Sequence, residues 1–304
     1  MLTKDKVTNI FCLADDFCKE YNSEIKKHQL VYVGGKRRRN RSTRMSESEM
    51  ITILIGFHFG SFRNFKHYYL HYIGIHLKNE FPYLLSYSRF IQLQHRTFIP
   101  FVLFLKLVCF GECTGITFID STKIAVCHNK RIIPNKVFKD IAEVGKSSMG
   151  WFFGFKLHLV CNDKGELLNF CITKGNVDDR NPNVIEVLSK DLFGKLFGDK
   201  GYISASLYEA LFNDGVHLVT GIRKNMKNRL MSLRDKILLR KRSVIETIND
   251  ELKNICQIEH SRHRSPANFL INLLAGLGAY CFFDKKPAIR FEREPENRQL
   301  SLFF

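Results

Sequence analysis

The feature that most constrains this 304-residue chain is a hairpin signal near its centre. Two apolar, strand-like runs, Phe152 to Cys161 and Leu167 to Thr173, are joined by Asn162-Asp163-Lys164-Gly165. Asn, Asp and Gly between apolar runs favour a tight reversal, because such a turn needs residues that tolerate positive φ. Further short strands are predicted at Gly115 to Asp120, Lys123 to Val126 as a returning strand, Lys195 to Asp199 and Val216 to Thr220. Helix patterns fall near Pro182 to Leu188 and from Ser204 to Phe212. Strands come first in antiparallel pairs and then alternate with helices. That order predicts an α/β fold, a mixed sheet with helices on its faces.

The flanks read differently. Residues 1–112 predict an all-helical N-terminal domain. Val7, Ile10, Ala14, Phe17 and Tyr21 recur at three and four residues, which is one face of a helix. Ser46 and Glu49 form a capping-box pattern ahead of the apolar run Met50 to Phe57. Phe62, Phe65, Tyr69, Tyr72, Ile73 and His76 mark a third helix. Beyond residue 221 comes a basic segment, Arg223 to Arg242, with nine Lys or Arg and one acid, Asp235. A long helix is predicted from Lys236 to Ile255 and an apolar one from Ala267 to Phe283. The domain plan is thus a helical 1–112, a catalytic 113–284 and a polar tail, 285–304.

Charge narrows the class of partner. Lys and Arg total 47 against 30 Asp and Glu, a net charge of +17. Such an excess points to a polyanion, either nucleic acid or an acidic membrane surface. No apolar stretch reaches the ~18 residues of a membrane span, and no basic amphipathic helix exposes a large apolar face, which disfavours the membrane. The start of the chain lacks the pattern of a signal peptide, and nine scattered cysteines read as reduced thiols, so a cytoplasmic location is expected. Lys36, Arg37, Arg38, Arg39 and Arg41, with Arg44 just beyond, make six of nine residues from 36 to 44 basic. The run reads either as a solvated loop or as an arm on DNA phosphates, where clustered cations release condensed counterions.

Three carboxylates stand out by context. Asp120 ends an apolar strand, Asp199 ends another and precedes Lys200-Gly201-Tyr202, and Glu246 lies inside the late helix. A carboxylate at a strand's C-terminal end sits where open sheets bind ligands. On a helix turning ~100° per residue, Arg242, Glu246 and Lys253 share one narrow polar face, opposite Val244, Ile245, Ile248, Leu252 and Ile255. That face reads equally as a solvated surface with an Arg242–Glu246 pair or as an acid flanked by phosphate-binding cations. Asp178-Asp179 is expected to cap the following helix. His260 and His263, beside Arg262 and Arg264, are expected to add to a basic patch.

These motifs resemble a known family. The spacing Arg242, three residues, Glu246, six residues, Lys253 is similar to the signature around the catalytic glutamate of DDE transposases from bacterial insertion sequences. Ile119-Asp120-Ser121-Thr122 and Gly198-Asp199-Lys200-Gly201-Tyr202 look like the regions of their first and second catalytic aspartates. The stretch from Ile255 to Ser265 is similar to the insertion-sequence family numbered nine-eight-two. Related proteins carry Tyr three residues before the signature Arg, where this chain has Leu239.

The resemblance implies an RNase H-like fold with a mixed five-stranded sheet flanked by helices. It implies Asp120, Asp199 and Glu246 as catalytic residues and as ligands of two Mg²⁺ ions, with Mn²⁺ as a substitute. Arg242, Lys253, Lys200 and the 36–41 run are the implied DNA contacts. The implied activity is metal-dependent cleavage at insertion-sequence ends and strand transfer into target DNA. The implied setting is a homodimer on double-stranded DNA, both inverted-repeat ends and target, in the bacterial nucleoid. A structure-selective nuclease on the same fold, or a transposase-derived DNA-binding protein without chemistry, would share many of these features. Only 46 residues lie between Asp199 and Glu246, so no inserted β domain is expected there.

Overall fold

The computed structural model describes residues 2–28, 43–59, 62–147, 150–223, 225–226, 230–259 and 263–289. The chain opens with helices. α1 (Lys4–Lys27) starts at Thr3, whose hydroxyl accepts from the Lys6 N–H at 3.2 Å. α2 (Glu47–Phe57) starts at the expected capping box: Glu49 N–H donates to Ser46 Oγ at 3.0 Å and Ser46 N–H donates to Glu49 Oε2 at 2.6 Å. α3 (Phe65–His67) runs on in wider turns to His76, α4 (Tyr87–Leu93) tightens into a turn ending at Thr97, and α5 (Phe98–Phe104) continues to Cys109. Val7, Ile10, Ala14 and Phe17 of α1 are buried, as their spacing predicts. α2 is buried nearly all round, through Met50, Ile51, Ile53, Leu54 and Ile55, so it forms the centre of this layer rather than its surface.

Six strands then form one mixed sheet: β1 (Ile116–Cys127), β2 (Glu143–Ser147), β3 (Gly150–Asn162), β4 (Leu167–Lys174), β5 (Gly194–Gly198) and β6 (Val216–Thr220). The order is β2-β3-β1-β5-β6, and β4 also pairs with β3. β1, β2 and β4 run antiparallel to β3, whereas β5 is parallel to both β1 and β6. The hairpin lies where the sequence puts it. Gly165 adopts φ +74° and its N–H donates to the Asn162 carbonyl at 3.1 Å. The Asn162 side chain holds the turn from inside, accepting from the N–H groups of Lys164 and Glu166 at 3.0 and 2.9 Å.

Two expectations about the sheet need correction. It has six strands, not five, and Lys123 to Val126 is no separate returning strand. β1 runs straight through Ser121 and Thr122, which pair with His158 and Leu157 of β3. Nothing there favours a reversal: the segment has no Gly, Pro, Asn or second Asp, and Thr is β-branched. The extra strand is β2, which pairs with residues 150–154 of β3 while β4 pairs with 155–161. Two strands therefore share one edge of β3, end to end. Where they meet, a Cβ on Gly145 would lie 2.0 Å from the carbonyl oxygen of Gly175. Gly145→Ala is therefore expected to destabilise the protein by about 1–3 kcal/mol, read as a lower urea midpoint at unchanged m-value. An unchanged midpoint would mean that this junction moves apart without cost.

Helices cover both faces. α6 (Pro182–Ser189) and α7 (Ala205–Asn213) pack on Ile119, Val160, Leu196 and Leu218. The other face, with Phe118, Leu157, Leu159 and Phe197, belongs to the core that includes α9 (Ser243–Asn254) and α10 (Pro266–Cys281). The single helix expected from Lys236 to Ile255 is two helices. α8 (Leu233–Lys241) stops at Arg242, and α9 begins after it. Ser232 caps α8 through the Asp235 N–H at 3.1 Å, and Lys195 of β5 meets Asp235 at 2.6 Å, so α8 is tied to the interior strand β5. α9 then docks on its own terms, burying Val244, Ile245, Ile248 and Leu252. A break lets each segment follow its own contacts, which a helical repeat in sequence does not reveal. α10 packs among the N-terminal helices, so one continuous hydrophobic core extends from Leu2 to Tyr280.

Candidate active site

Parallel pairing brings two of the three acids side by side. In the β1–β5 register Ile116 faces Lys195 and Phe118 faces Phe197. Asp120 and Asp199 keep the same offset two residues further on, at the C-terminal ends of the parallel ladder. Asp199 lies one residue past β5 and is exposed. Its Oδ1 accepts the Gly201 N–H at 2.7 Å and so caps the single turn Lys200–Tyr202. Tyr202 turns inward and is 2% exposed, which anchors that turn against Ile119 and its neighbours.

Asp120 is the buried member of the set, with its side chain 21% exposed. Its Oδ1 lies 3.8 Å from Arg242 Nη1, and its Oδ2 accepts from Asn249 Nδ2 at 3.0 Å. Burial pushes this carboxyl up to about 6; the Arg242 charge and the Ser121 N–H oppose that rise, and the negative charges of Asp199 and Glu246 add to it. Glu246 stands on the polar face of α9 with its side chain 54% exposed, and it pairs with Arg242 one turn earlier. Asp120 and Glu246 therefore face one another across a single guanidinium. Among the described residues, no three His, Cys, Asp or Glu side chains stand close enough to enclose one metal ion by themselves.

The segment that carries these carboxylates matches a known family. Residues 110–266, more than half of the chain, match the family model described as the transposase DDE domain. The chain belongs to the DDE transposase family. No curated protein matches it. Among solved structures it is similar to a piggyBac transposase synaptic complex with hairpin DNA, determined by electron cryomicroscopy. That likeness covers 92% of this chain and 72% of the other, at 12% identity and a TM-score of 0.44.

The transposase's remaining expected site residues are placed as follows. Arg242 is engaged by Glu246 and Asp120 rather than free on a solvated face. Lys253 meets Glu259 Oε1 at 3.4 Å, and the same oxygen accepts from the Ala125 N–H of β1 at 3.4 Å. Lys200 is exposed in the turn after Asp199, and its carbonyl accepts from Arg223 Nη2 at 3.1 Å. Lys36, Arg37, Arg38, Arg39 and Arg41 lie outside the described residues, as do His260 and Arg262.

Two further expectations change. Asn181, not Asp178 or Asp179, caps α6, accepting from the Asn183 N–H at 3.0 Å. Asp178 is held well below the usual carboxylate range by Arg180, whose guanidinium and N–H both donate to it. Asp179 instead receives Lys156 Nζ at 3.0 Å, beside the buried His158. His263 does not add positive charge to a patch near neutral pH, since burial and the nearby His58 push it down to about 4.

The residue of the candidate site that sequence reading missed is Asn249. It touches Asp120 directly, yet an Asn three residues after Glu246 is unremarkable in composition. The available signal was its angle: seven residues after Arg242, it falls on the same face as Arg242 and Glu246. Among the described residues, no helix is long and apolar enough to cross a membrane.

Proposed function

We propose that Asp120, Asp199 and Glu246 are the catalytic carboxylates of this transposase, on an RNase H-like sheet. One observation carries the reading: a single cation, the Arg242 guanidinium, meets both Asp120 and Glu246, while Asp199 keeps the strand register of Asp120. Their donor set fits hard divalent cations, because all three offer carboxylate oxygens and none is a thiol or imidazole. The cost of ionising Asp120, set mainly by its burial and increased by two other acids, is also the cost that a bound cation relieves.

Asp120, Asp199 and Glu246 would hold two Mg²⁺ ions, for which Mn²⁺ would substitute. When bound, such a pair activates the attacking water or 3′-hydroxyl and stabilises the leaving oxygen of an in-line displacement. The protein's own residues do the rest. The Asp199 cap on Gly201 fixes the turn that carries Lys200 beside the acids. Arg242, Lys253 and Lys200 bind DNA phosphates and set the register of the strand without reading its bases. For Arg242 and Lys253 this means exchanging Glu246 and Glu259 for phosphate oxygens. The basic run from Lys36 to Arg41 adds salt-sensitive affinity along the duplex.

The substrate is double-stranded DNA, first the inverted-repeat ends of an insertion sequence and then target DNA. The element is of the family numbered nine-eight-two, in the bacterial cytoplasm at the nucleoid. Joining two ends calls for two copies of the chain, hence a homodimer on DNA.

The test is a strand-transfer assay. Labelled duplexes cut from the DNA flanking the protein's own coding sequence are mixed with supercoiled plasmid and Mg²⁺. The expected result is nicking at the element's end followed by label joined to plasmid, both lost in chelator. Cleavage without joining would favour the nuclease reading; neither reaction, with DNA still bound, would favour the non-catalytic one.

A further inference from the structure

Glu246 is followed one turn later on α9 by an amide with no surface role. Asn249 is 7% exposed and sits among the buried apolar positions Ile245, Ile248 and Leu252. Its Nδ2 donates to Asp120 Oδ2 at 3.0 Å, while its Oδ1 is buried and has no hydrogen-bond partner among the described residues. A half-satisfied amide in an apolar helix contact is costly, and an aliphatic side chain of the same size would stabilise the docking of α9 better. The contact it does make is specific. Asp120 Oδ2 is occupied by Asn249, whereas Oδ1 faces Arg242. Arg242, just ahead of α9, and Asn249 within it thus address the two oxygens of one carboxylate separately.

We propose that Asn249 is a positioning residue for the metal-binding carboxylate: it holds Asp120 Oδ2 and so turns Oδ1 toward the cations. This rests on the reading of Asp120 as a metal ligand. A carboxylate free to rotate about its last torsion presents either oxygen, or both, to a cation, and binding must then freeze that motion. A hydrogen bond made in advance removes the cost. Outer partners of this kind are commonly worth 10–100-fold in metal affinity or activity. A tie that merely fastens α9 to β1 would instead change stability and leave metal affinity unaltered.

The experiment measures Mn²⁺ binding to the full-length protein by the electron paramagnetic resonance signal of free Mn²⁺. Wild type is compared with Asn249→Ala, Asn249→Leu, Asp120→Asn and the double variant Asp120→Asn/Asn249→Ala. Leu fills the space without a donor, so it retains packing if the Ala variant fails to fold. Thermal midpoints are recorded alongside. Expected are a Kd for Mn²⁺ about tenfold higher or more in both Asn249 single variants, and less than a twofold further change when Asn249→Ala is added to Asp120→Asn. Asn249 variants that bind Mn²⁺ as the wild type does, in a protein whose Asp120→Asn variant binds it weakly, overturn the proposal alone. A wild type that takes up no Mn²⁺ at millimolar concentration, or an Asp120→Asn variant that binds as the wild type does, overturns the site reading and this proposal with it.

Discussion

Asp120→Asn is expected to lower strand cleavage by roughly 10³-fold or more, because in the proposed site this carboxylate holds a metal that supplies several kcal/mol of charge stabilisation. DNA affinity is expected to change by less than about threefold, since the proposed phosphate contacts are made by cations rather than by this carboxylate. The substitution is close in shape. Asp120 is the one acid of the three that is largely buried, and it is also the one that faces both Arg242 and Asn249. Glu246→Gln should abolish cleavage as well, although its side chain is 54% exposed and its loss leaves the core intact. Cleavage of a labelled duplex in Mg²⁺ and fluorescence anisotropy of the same duplex in chelator separate the two effects. A variant that cleaves at the wild-type rate removes Asp120 from the mechanism.

The same substitution should make the protein more stable. Asp120 lies at about 6 in the folded state against a reference of 3.8, mainly through burial. A carboxyl raised by folding is bound to its proton more tightly in the native state. Stability therefore falls as pH rises from about 4 to about 6 and stays low above that. Each unit is worth about 1.4 kcal/mol, so the ionised carboxylate costs roughly 3 kcal/mol at most near pH 7.5. Asn cannot ionise, but Arg242 then loses part of its counter-charge. The expected net gain is about 1–3 kcal/mol at pH 7.5 in chelator, shrinking toward nothing near pH 4. Urea unfolding at the two pH values measures it. Mg²⁺ should raise the wild-type midpoint and leave that of the variant unchanged, because only a state that binds the ion gains from it. A variant less stable than the wild type at pH 7.5 would mean that the polar contacts of Asp120 outweigh its burial.

What the sequence makes legible here is what local chemistry decides. The Ser46–Glu49 box, the Asn162–Gly165 turn and the apolar stripe of α9 each use contacts within a few residues, and each is present in the structure. The order of strands followed from the same kind of reading. Legibility ends where distant partners decide. β1 continues past Asp120 because β3 is there to pair with Ser121 and Thr122. β2, Glu143–Ser147, carries no apolar alternation and exists because β3 is longer than β4. The break at Arg242 reflects α8 following its tie to β5 while α9 follows the core. At the candidate site, Asp120, Asp199 and Glu246 stand out by their sequence context, whereas Asn249 acquires meaning only when the fold sets it against Asp120.

The burial of α10 among the N-terminal helices bears on how the protein comes to be made. Ile51 and Ile55 of α2 share a core with Leu273, Leu274 and Leu277, which are synthesised more than two hundred residues later. On the ribosome the helical layer emerges first, but its floor is among the last pieces delivered. Until residues near 281 have left the exit tunnel, that apolar surface has no native cover, and the nascent chain is open to aggregation or chaperone capture. A shortened product lacking α10 inherits the same exposed floor, so premature termination yields no independent helical module. A chain that extends through α10 is the smallest unit in which that layer closes.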